Sequence, residues 1–304
     1  MTPQEIPHGR RQPCTSIRQE KIINVVGVVG GGIMGSGIAE VAARSGCDVV
    51  LREVNEAAIE SAQARLTASL DRAVRNGKLA VGERNDIIDR VRFTDTLDDL
   101  SECDLVAEAA IEDEDAKTAI FAALGKVVRP DVLLTSNTSS IPIMKLAAVT
   151  PGPQRVVGMH FFNPATVLPL VEVIPCELTS EETVQRVHQF AHDRLGKTII
   201  TAKDRAGFVV NALLIPYLLA AIRMVDAGLA SAEDIDTAMV AGCAHPMGPL
   251  ALADLIGLDT TAAVAVSMYE ETKEQLYAPP ALLLRKVEAG ELGRKTGRGF
   301  FPYH

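Results

Sequence analysis

Tryptophan is missing from the 304-residue chain and aromatic residues make up only 4% of it, so its 47% of hydrophobic residues must pack mainly as aliphatic side chains. Long apolar runs are missing too, and with them the signature of a membrane-spanning helix. The opening stretch MTPQEIPHGRRQPCTSIRQ carries prolines and charge but no apolar segment, which argues against a cleaved secretory signal. Residues 1–20 are expected to form a flexible tail in which Arg10 and Arg11 are solvated. Cysteine is scarce. Cys14, Cys47, Cys103, Cys176 and Cys243 are odd in number, far apart and without a C-x-x-C pair, which excludes a disulfide framework or a zinc site and fits a reducing, cytoplasmic setting. Positive charge is also short: 30 Lys and Arg face 39 Asp and Glu, a net charge of −9. That balance argues against nucleic acid or an anionic membrane as a partner, and an anionic substrate would need a local basic patch.

What the chain has in place of these is glycine at one decisive point. Residues 25–40, VVGVVGGGIMGSGIAE, run from β-branched residues through a glycine cluster into small residues at helical spacing. This predicts a buried parallel strand, a tight turn and a helix start. Gly30, Gly32 and Gly35 form a G-x-G-x-x-G, in which the first glycine permits the turn, the second admits a pyrophosphate and the third lets helix approach strand. Ile33 and Met34 lie between the last two, where unpaired helix N–H groups can receive phosphate oxygens. Such a motif also arises for steric reasons alone. Its context here adds a second strand, residues 48–53, ending at Glu53 about 20 residues on, where a carboxylate can accept from the adenosine ribose hydroxyls. A dinucleotide site is the expectation.

Along the chain, strand and helix signals alternate. Helices are expected at 55–76, 82–90, 113–129 and about 180–195, and strands at 91–94, 103–109, 132–136, 155–160 and 169–174, with one last short strand after the 180–195 helix. That alternation specifies an α/β sheet with helices on both faces. Beyond residue 206 the strand signals stop, and 207–228, 231–242, 248–256, 258–275 and 280–290 all read as helical. The expected division is a tail over 1–20, a cofactor-binding domain over 21–205 and a helical domain over 206–304.

From about residue 22 to its end, the chain resembles the 3-hydroxyacyl-CoA dehydrogenase family in its short, two-domain, stand-alone form. The resemblance rests on VGVVGGGIMGSGIA, SNTSS at 136–140, HFFNP at 160–164, LVEVI at 170–174, GFVVNALLIPY at 207–217, PMGPLALADLIGLD at 246–259 and KTGRGFFPY at 295–303. It implies a Rossmann-like, doubly wound N-terminal domain that binds NAD, an all-helical C-terminal domain that forms a homodimer contact, and a catalytic cleft between them. The implied activity is the reversible oxidation of (S)-3-hydroxyacyl-CoA to 3-oxoacyl-CoA. A dehydrogenase of a free hydroxy or sugar acid on the same fold, gulonate dehydrogenase for example, shares the HFFNP and LVEVI pairing more loosely and is the alternative. The short architecture, without a hydratase half, points to 3-hydroxybutyryl-CoA as substrate.

The residues can carry that chemistry. Removing a hydroxyl proton as hydride leaves carbon calls for a base of near-neutral pKa, and histidine supplies one. Of six histidines, His8 and His304 are terminal, His188 and His192 sit four apart on a helix, and His245 precedes Pro246 in a loop. His160 ends an apolar strand, where ligand crevices of α/β sheets open. Glu172 lies inside the apolar strand LVEVI, where an unpaired carboxylate would be costly. A carboxylate on that imidazole would fix its tautomer, although a core histidine and an unrelated salt-bridged glutamate would give the same pattern.

The resemblance further implies that Ser139 and Asn211 contact the substrate oxygen, and that Glu112, Lys117, Asn137, Ser139 and Asn163 lie beside the nicotinamide and its ribose. Ser139 or Ser140 could instead cap the following helix, and Glu112 and Lys117 could be ordinary first-turn charge. CoA is expected on helix 55–76 and the loop after it, through Ser69, Arg72, Arg75 and Lys78, where solvated surface charge is the competing reading. Where relatives carry a basic residue after HFFNP this chain has Pro169, and where they carry D-x-P-G-F it has Ala206.

Overall fold

The computed structural model describes residues 22–303, so the expected tail at 1–20, with His8 and Cys14, lies outside the described residues, as does His304. Among the described residues eight strands form one sheet: β1 (Val25–Val29), β2 (Asp48–Arg52), β3 (Val91–Thr94), β4 (Leu105–Glu108), β5 (Leu133–Ser136), β6 (Val156–Phe161), β7 (Leu170–Ile174) and β8 (Thr198–Thr201). Their spatial order is β3-β2-β1-β4-β5-β6-β7-β8. Pairing is parallel throughout except between β6 and β7, so the last two strands run against the rest. The carboxyl ends of β1, β2, β4, β5 and β6 therefore share one edge, with the crossover of strand order beside β1, where such sheets open a ligand crevice.

Eleven α-helices accompany them among the described residues. α1 (Ile33–Arg44), α2 (Glu56–Arg75), α3 (Val81–Asp89), α4 (Glu114–Val127), α5 (Ile143–Ala148) and α6 (Glu181–Gln189) alternate with the strands. α7 (Val210–Asp226), α8 (Ala232–Cys243), α9 (Pro249–Ile256), α10 (Leu258–Thr272) and α11 (Ala281–Glu288) follow without a further strand. The α/β sheet and the succeeding run of helices agree with the expected fold class. α2 shows why these residues form this element. The Asn55 side chain accepts from the Ala58 N–H at 2.9 Å and starts the helix. Ile59, Ala62, Leu66 and Leu70 then fall on one face and are buried against the sheet, each large aliphatic contributing about 1.5–3 kcal/mol of transfer free energy.

Two cores sandwich the sheet. One packs α1, α2 and α6 onto one face, the other α4 and α5 onto the opposite face. A third, separate core holds α7, α9 and α10 around Leu218, Leu219, Leu250 and Met268. The helix expected at 180–195 ends as a wide π-turn over Phe190–Arg194. Among the described residues no single helix is long and apolar enough to cross a membrane.

Candidate active site

The β1–α1 turn is shaped by what a side chain would hit. A Cβ on Gly35 would lie 1.7 Å from the carbonyl oxygen of Gly30, and one on Gly30, whose φ is +95°, would lie 2.7 Å from the Ala109 carbonyl. Both positions exclude any larger residue. A Cβ on Gly32, in contrast, would meet nothing within 4 Å. The backbone there borders open space in front of the N-terminus of α1, with Ile33 exposed and Met34 half-buried beside it. Glu53 folds back on this turn: its Oε1 accepts from the Gly31 N–H at 2.5 Å and its Oε2 from the Val54 N–H at 3.0 Å. Open space, free helix N–H groups and a carboxylate at the end of β2 fit the pyrophosphate and adenosine ribose of a dinucleotide.

At the other end of the same edge, antiparallel register sets His160 on β6 directly opposite Glu172 on β7. His160 Nδ1 and Glu172 Oε2 are 2.8 Å apart, and both residues are buried, Glu172 completely. The second oxygen of Glu172 accepts from the N–H groups of Val209 and Val210, each at 3.0 Å. The buried carboxylate thus has three donors and sits at the N-terminus of α7, where the helix dipole favours negative charge. With Nδ1 donating to the carboxylate, Nε2 keeps its lone pair and faces away from Glu172. Phe162 and Phe208 place their rings 4.6 and 5.6 Å from the imidazole and screen it from water. Phe208 holds this place with a φ of +47°, a left-handed conformation uncommon for a bulky residue.

The turn after β5 completes the crevice. Asn137 Oδ1 accepts from the Phe161 N–H at 2.8 Å, which fixes the SNTSS turn against the end of β6 next to His160. Ser139 lies half-buried on that turn. Its N–H donates to Glu112 Oε1 at 2.9 Å, and Thr138 and Ser140 donate their hydroxyls to the same oxygen at 2.6 and 3.0 Å. The alternative of Ser139 or Ser140 as a helix cap does not hold: α5 begins at Ile143, and the carboxylate of Asp204 accepts from the Ile143 and Met144 N–H groups. Lys117 is not first-turn surface charge, and Glu112, though partly exposed, precedes the helix and is tied to the SNTSS turn. Lys117 is 1% exposed and its Nζ lies 2.5 Å from Glu108 Oε1 and 3.4 Å from Glu112 Oε2. The Lys117 ammonium thus ties the end of β4 to Glu112, which in turn holds the SNTSS turn. Burial would raise the Glu112 pKa, but the Lys117 charge and the donors of the SNTSS turn outweigh it and hold the carboxyl below its ordinary value.

Asn163, exposed just past β6, and Asn211, half-buried as the second residue of α7, make no side-chain hydrogen bond among the described residues and are free for a ligand. Asn211 follows Val210, so the amide that Glu172 holds also fixes the backbone from which Asn211 projects. Ser69 is half-buried, and Arg72, Arg75 and Lys78 are exposed and form no ion pair among the described residues. The other histidines have different occupations. His188 bonds Thr201, His192 bonds Asp193, and His245 takes the Tyr217 hydroxyl at 3.0 Å.

Sequence reasoning missed three supporting groups. Glu108, fully buried at the end of β4, gathers the Ala110 N–H, Lys117 and the Ser136 hydroxyl. Its signal was the one that exposed Glu172, a carboxylate inside an apolar strand. Lys197 is buried with no carboxylate partner among the described residues, and its Nζ donates to the carbonyls of Ala165 and Leu168 at 2.6 and 2.8 Å, pinning the loop that carries Asn163. The ring of Phe208 carried no distinguishing signal beyond its place after Gly207.

Two family models cover this architecture: the NAD binding domain of 3-hydroxyacyl-CoA dehydrogenase matches residues 25–205, and its C-terminal domain matches residues 207–303. The chain belongs to the 3-hydroxyacyl-CoA dehydrogenase family. It is 57% identical over 282 residues to a 3-hydroxybutyryl-CoA dehydrogenase of Mycobacterium tuberculosis, covering 92% of this chain and 99% of that one. The crystal structure of M. tuberculosis FadB2 superposes with a TM-score of 0.92 at 56% identity, over 93% of this chain and all (100%) of the other. That of (S)-3-hydroxybutyryl-CoA dehydrogenase from Ralstonia eutropha gives 0.87 at 44% identity, over 93% and 100% of the two chains. The cofactor of this dehydrogenase family, NAD, matches the cradle at Gly32 and the Glu53 carboxylate.

Proposed function

We infer that this chain interconverts (S)-3-hydroxybutyryl-CoA and acetoacetyl-CoA with NAD as the redox partner. The observation that carries the reading is the buried His160–Glu172 pair, set on the same sheet edge as the glycine turn with Nε2 left free. The nicotinamide supplies the hydride acceptor. His160 Nε2 takes the hydroxyl proton of the substrate as the carbon–hydrogen bond breaks, and returns it in the reverse direction. Glu172 stabilises the imidazolium that forms and keeps the ring in the Nδ1–H tautomer. Ser139 and Asn211 hold the substrate oxygen from the two sides of the crevice, and Phe162 and Phe208 keep water from the imidazole. Gly30, Gly32, Ile33, Met34, Gly35 and Glu53 receive the pyrophosphate and adenosine ribose, while Glu112, Lys117, Asn137 and Asn163 frame the nicotinamide end.

CoA falls to the flank of α2 and the loop after it, where Arg72, Arg75 and Lys78 form no ion pair among the described residues of an acidic chain. The division at 205–206 gives the helical half two tasks, presenting Asn211 and pairing with a second copy. The apolar groove of Val210, Leu213, Leu214 and Tyr217 on α7 with Pro246 and Met247 supports that pairing, and analytical ultracentrifugation tests it. The activity is tested by following nicotinamide absorbance with acetoacetyl-CoA, then with free acetoacetate and gulonate. Turnover of the CoA ester alone is expected. Faster turnover of either free acid would overturn the reading.

A further inference from the structure

A cation at the adenosine ribose corner comes from a residue that is not a neighbour of Glu53 in sequence. Arg52 turns away, its Nε donating to the Asp95 carbonyl at 3.3 Å on the far side of β2. From α2, however, Arg65 reaches the glycine turn, and its Nη1 donates to the Gly31 carbonyl at 2.7 Å. The N–H of the same Gly31 is held by Glu53 Oε1 at 2.5 Å. A carboxylate and a guanidinium thus bracket one residue of the turn. Close packing keeps α2 in place there, since a Cβ on Gly31 would lie 2.5 Å from that of Ala62 and 3.3 Å from Glu53 Oε1. Arg65 is exposed and forms no ion pair among the described residues, so its remaining donors are uncommitted.

Resting on the NAD-dependent reading above, we infer that Arg65 is a second determinant of cofactor choice. The Gly31 carbonyl also receives the Ser36 hydroxyl at 2.8 Å, so the turn does not depend on Arg65, which is the cation that receives a ribose 2′-phosphate once the Glu53 carboxylate is removed. Cofactor choice then has two parts, a Glu53 charge that repels the phosphate and an Arg65 guanidinium that favours it when that charge is absent. A guanidinium suits that partner because its planar donors meet phosphate oxygens in pairs. The carboxylate excludes the same group by like-charge repulsion and by its need for a ribose hydroxyl donor.

Binding of adenosine 2′,5′-bisphosphate and of AMP, measured by calorimetry, tests this without using turnover, so a wrong substrate assignment would not disturb it. Glu53→Ser should bind the bisphosphate at least about tenfold more tightly than the wild type does. Glu53→Ser/Arg65→Ala should lose that gain while binding AMP like Glu53→Ser, and Glu53→Ser/Arg65→Lys should keep part of it. Matching kinetics are expected, with the kcat/KM for NADPH rising in the single variant and falling back in the Arg65→Ala double variant. An unchanged AMP affinity certifies that the turn is intact. If Glu53→Ser gains nothing for the bisphosphate, or if the double variant with Ala keeps the whole gain, Arg65 does not serve the ribose corner.

Discussion

At the β1–β2 end of the crevice the binding groups are mainly backbone: the glycine turn, the free N–H groups of α1 and open space at Gly32, with Glu53 alone reaching in from β2. At the β6–β7 end they are buried side chains in a closed chain of hydrogen bonds, from His160 through Glu172 to the amides that begin α7. The first end works by shape, so it fails when a side chain intrudes. The second works by charge and tautomer, so it fails when one proton sits on the wrong atom. The sheet itself marks the change, since β7 is the first strand to run antiparallel, and that reversal sets Glu172 opposite His160.

Breaking the side-chain end should cost most. His160→Gln is expected to lower kcat by about 10² to 10⁴-fold with NADH affinity unchanged, as stopped-flow and fluorescence titration would report. A variant with near-wild-type kcat would remove the proposed base. The backbone end sharpens the contrast through two glycines. Gly35→Ala forces a Cβ onto the Gly30 carbonyl and should unfold the turn, lowering thermal stability by the several kcal/mol of a severe backbone clash, about 3 or more. Gly32→Ala meets open space, so it should melt like the wild type yet raise KM for NADH about tenfold by occupying the pyrophosphate path. Equal melting losses in the two variants would refute a division of labour within the turn. Further out, Arg72→Ala combined with Lys78→Ala should raise KM for acetoacetyl-CoA severalfold and leave KM for NADH alone. An effect on NADH only would place CoA elsewhere.

The smallest effect expected is on acid stability. The folded pKa of Glu112 lies below its ordinary 4.5, so the stabilisation from this carboxylate is present above about that pH. It is lost as pH falls through the lower folded value. Glu112→Gln should therefore melt slightly below the wild type at neutral pH, since water screens the partly exposed carboxylate, with the gap closing on acidification below 4.5. A gap that does not narrow would mean that the SNTSS turn does not depend on that charge.

Which parts of this were legible in the sequence follows the same contrast. The alternation of period announced every strand, and helix α2, expected at 55–76, forms over Glu56–Arg75 because Asn55 caps it and Gly77 follows it. The helix expected from 207 begins at Val210 instead: Phe208 takes a positive φ, and the amides of Val209 and Val210 are drawn to Glu172 across the chain. A tertiary acceptor 37 residues away leaves no trace in local periodicity. Lys117 and Glu112 looked like helix-start charge because the partner that buries Lys117, Glu108, reaches it only once β4 and α4 are packed. Arg65 was invisible for a similar reason, since its partner Gly31 lies 34 residues earlier. Motifs that act through backbone shape, like the glycine turn, are local and readable. Groups that act through side-chain partners become readable only when the sheet has brought the partners together.

The tautomer of His160 is the point on which the account turns, and Glu172→Gln tests it. In that variant the amide oxygen must still accept from Val209 and Val210, so the amide NH₂ is left to donate to Nδ1 and the proton moves to Nε2, the atom required as base. Single-turnover kinetics of Glu172→Gln, His160→Gln and the double variant give the measurement. The chemical step is expected to slow by about 10² to 10⁴ in Glu172→Gln, no more than in His160→Gln, and the double variant to be no slower than His160→Gln, because the two residues act as one unit. A Glu172→Gln enzyme within about tenfold of the wild type, or losses that simply multiply in the double variant, would contradict the account.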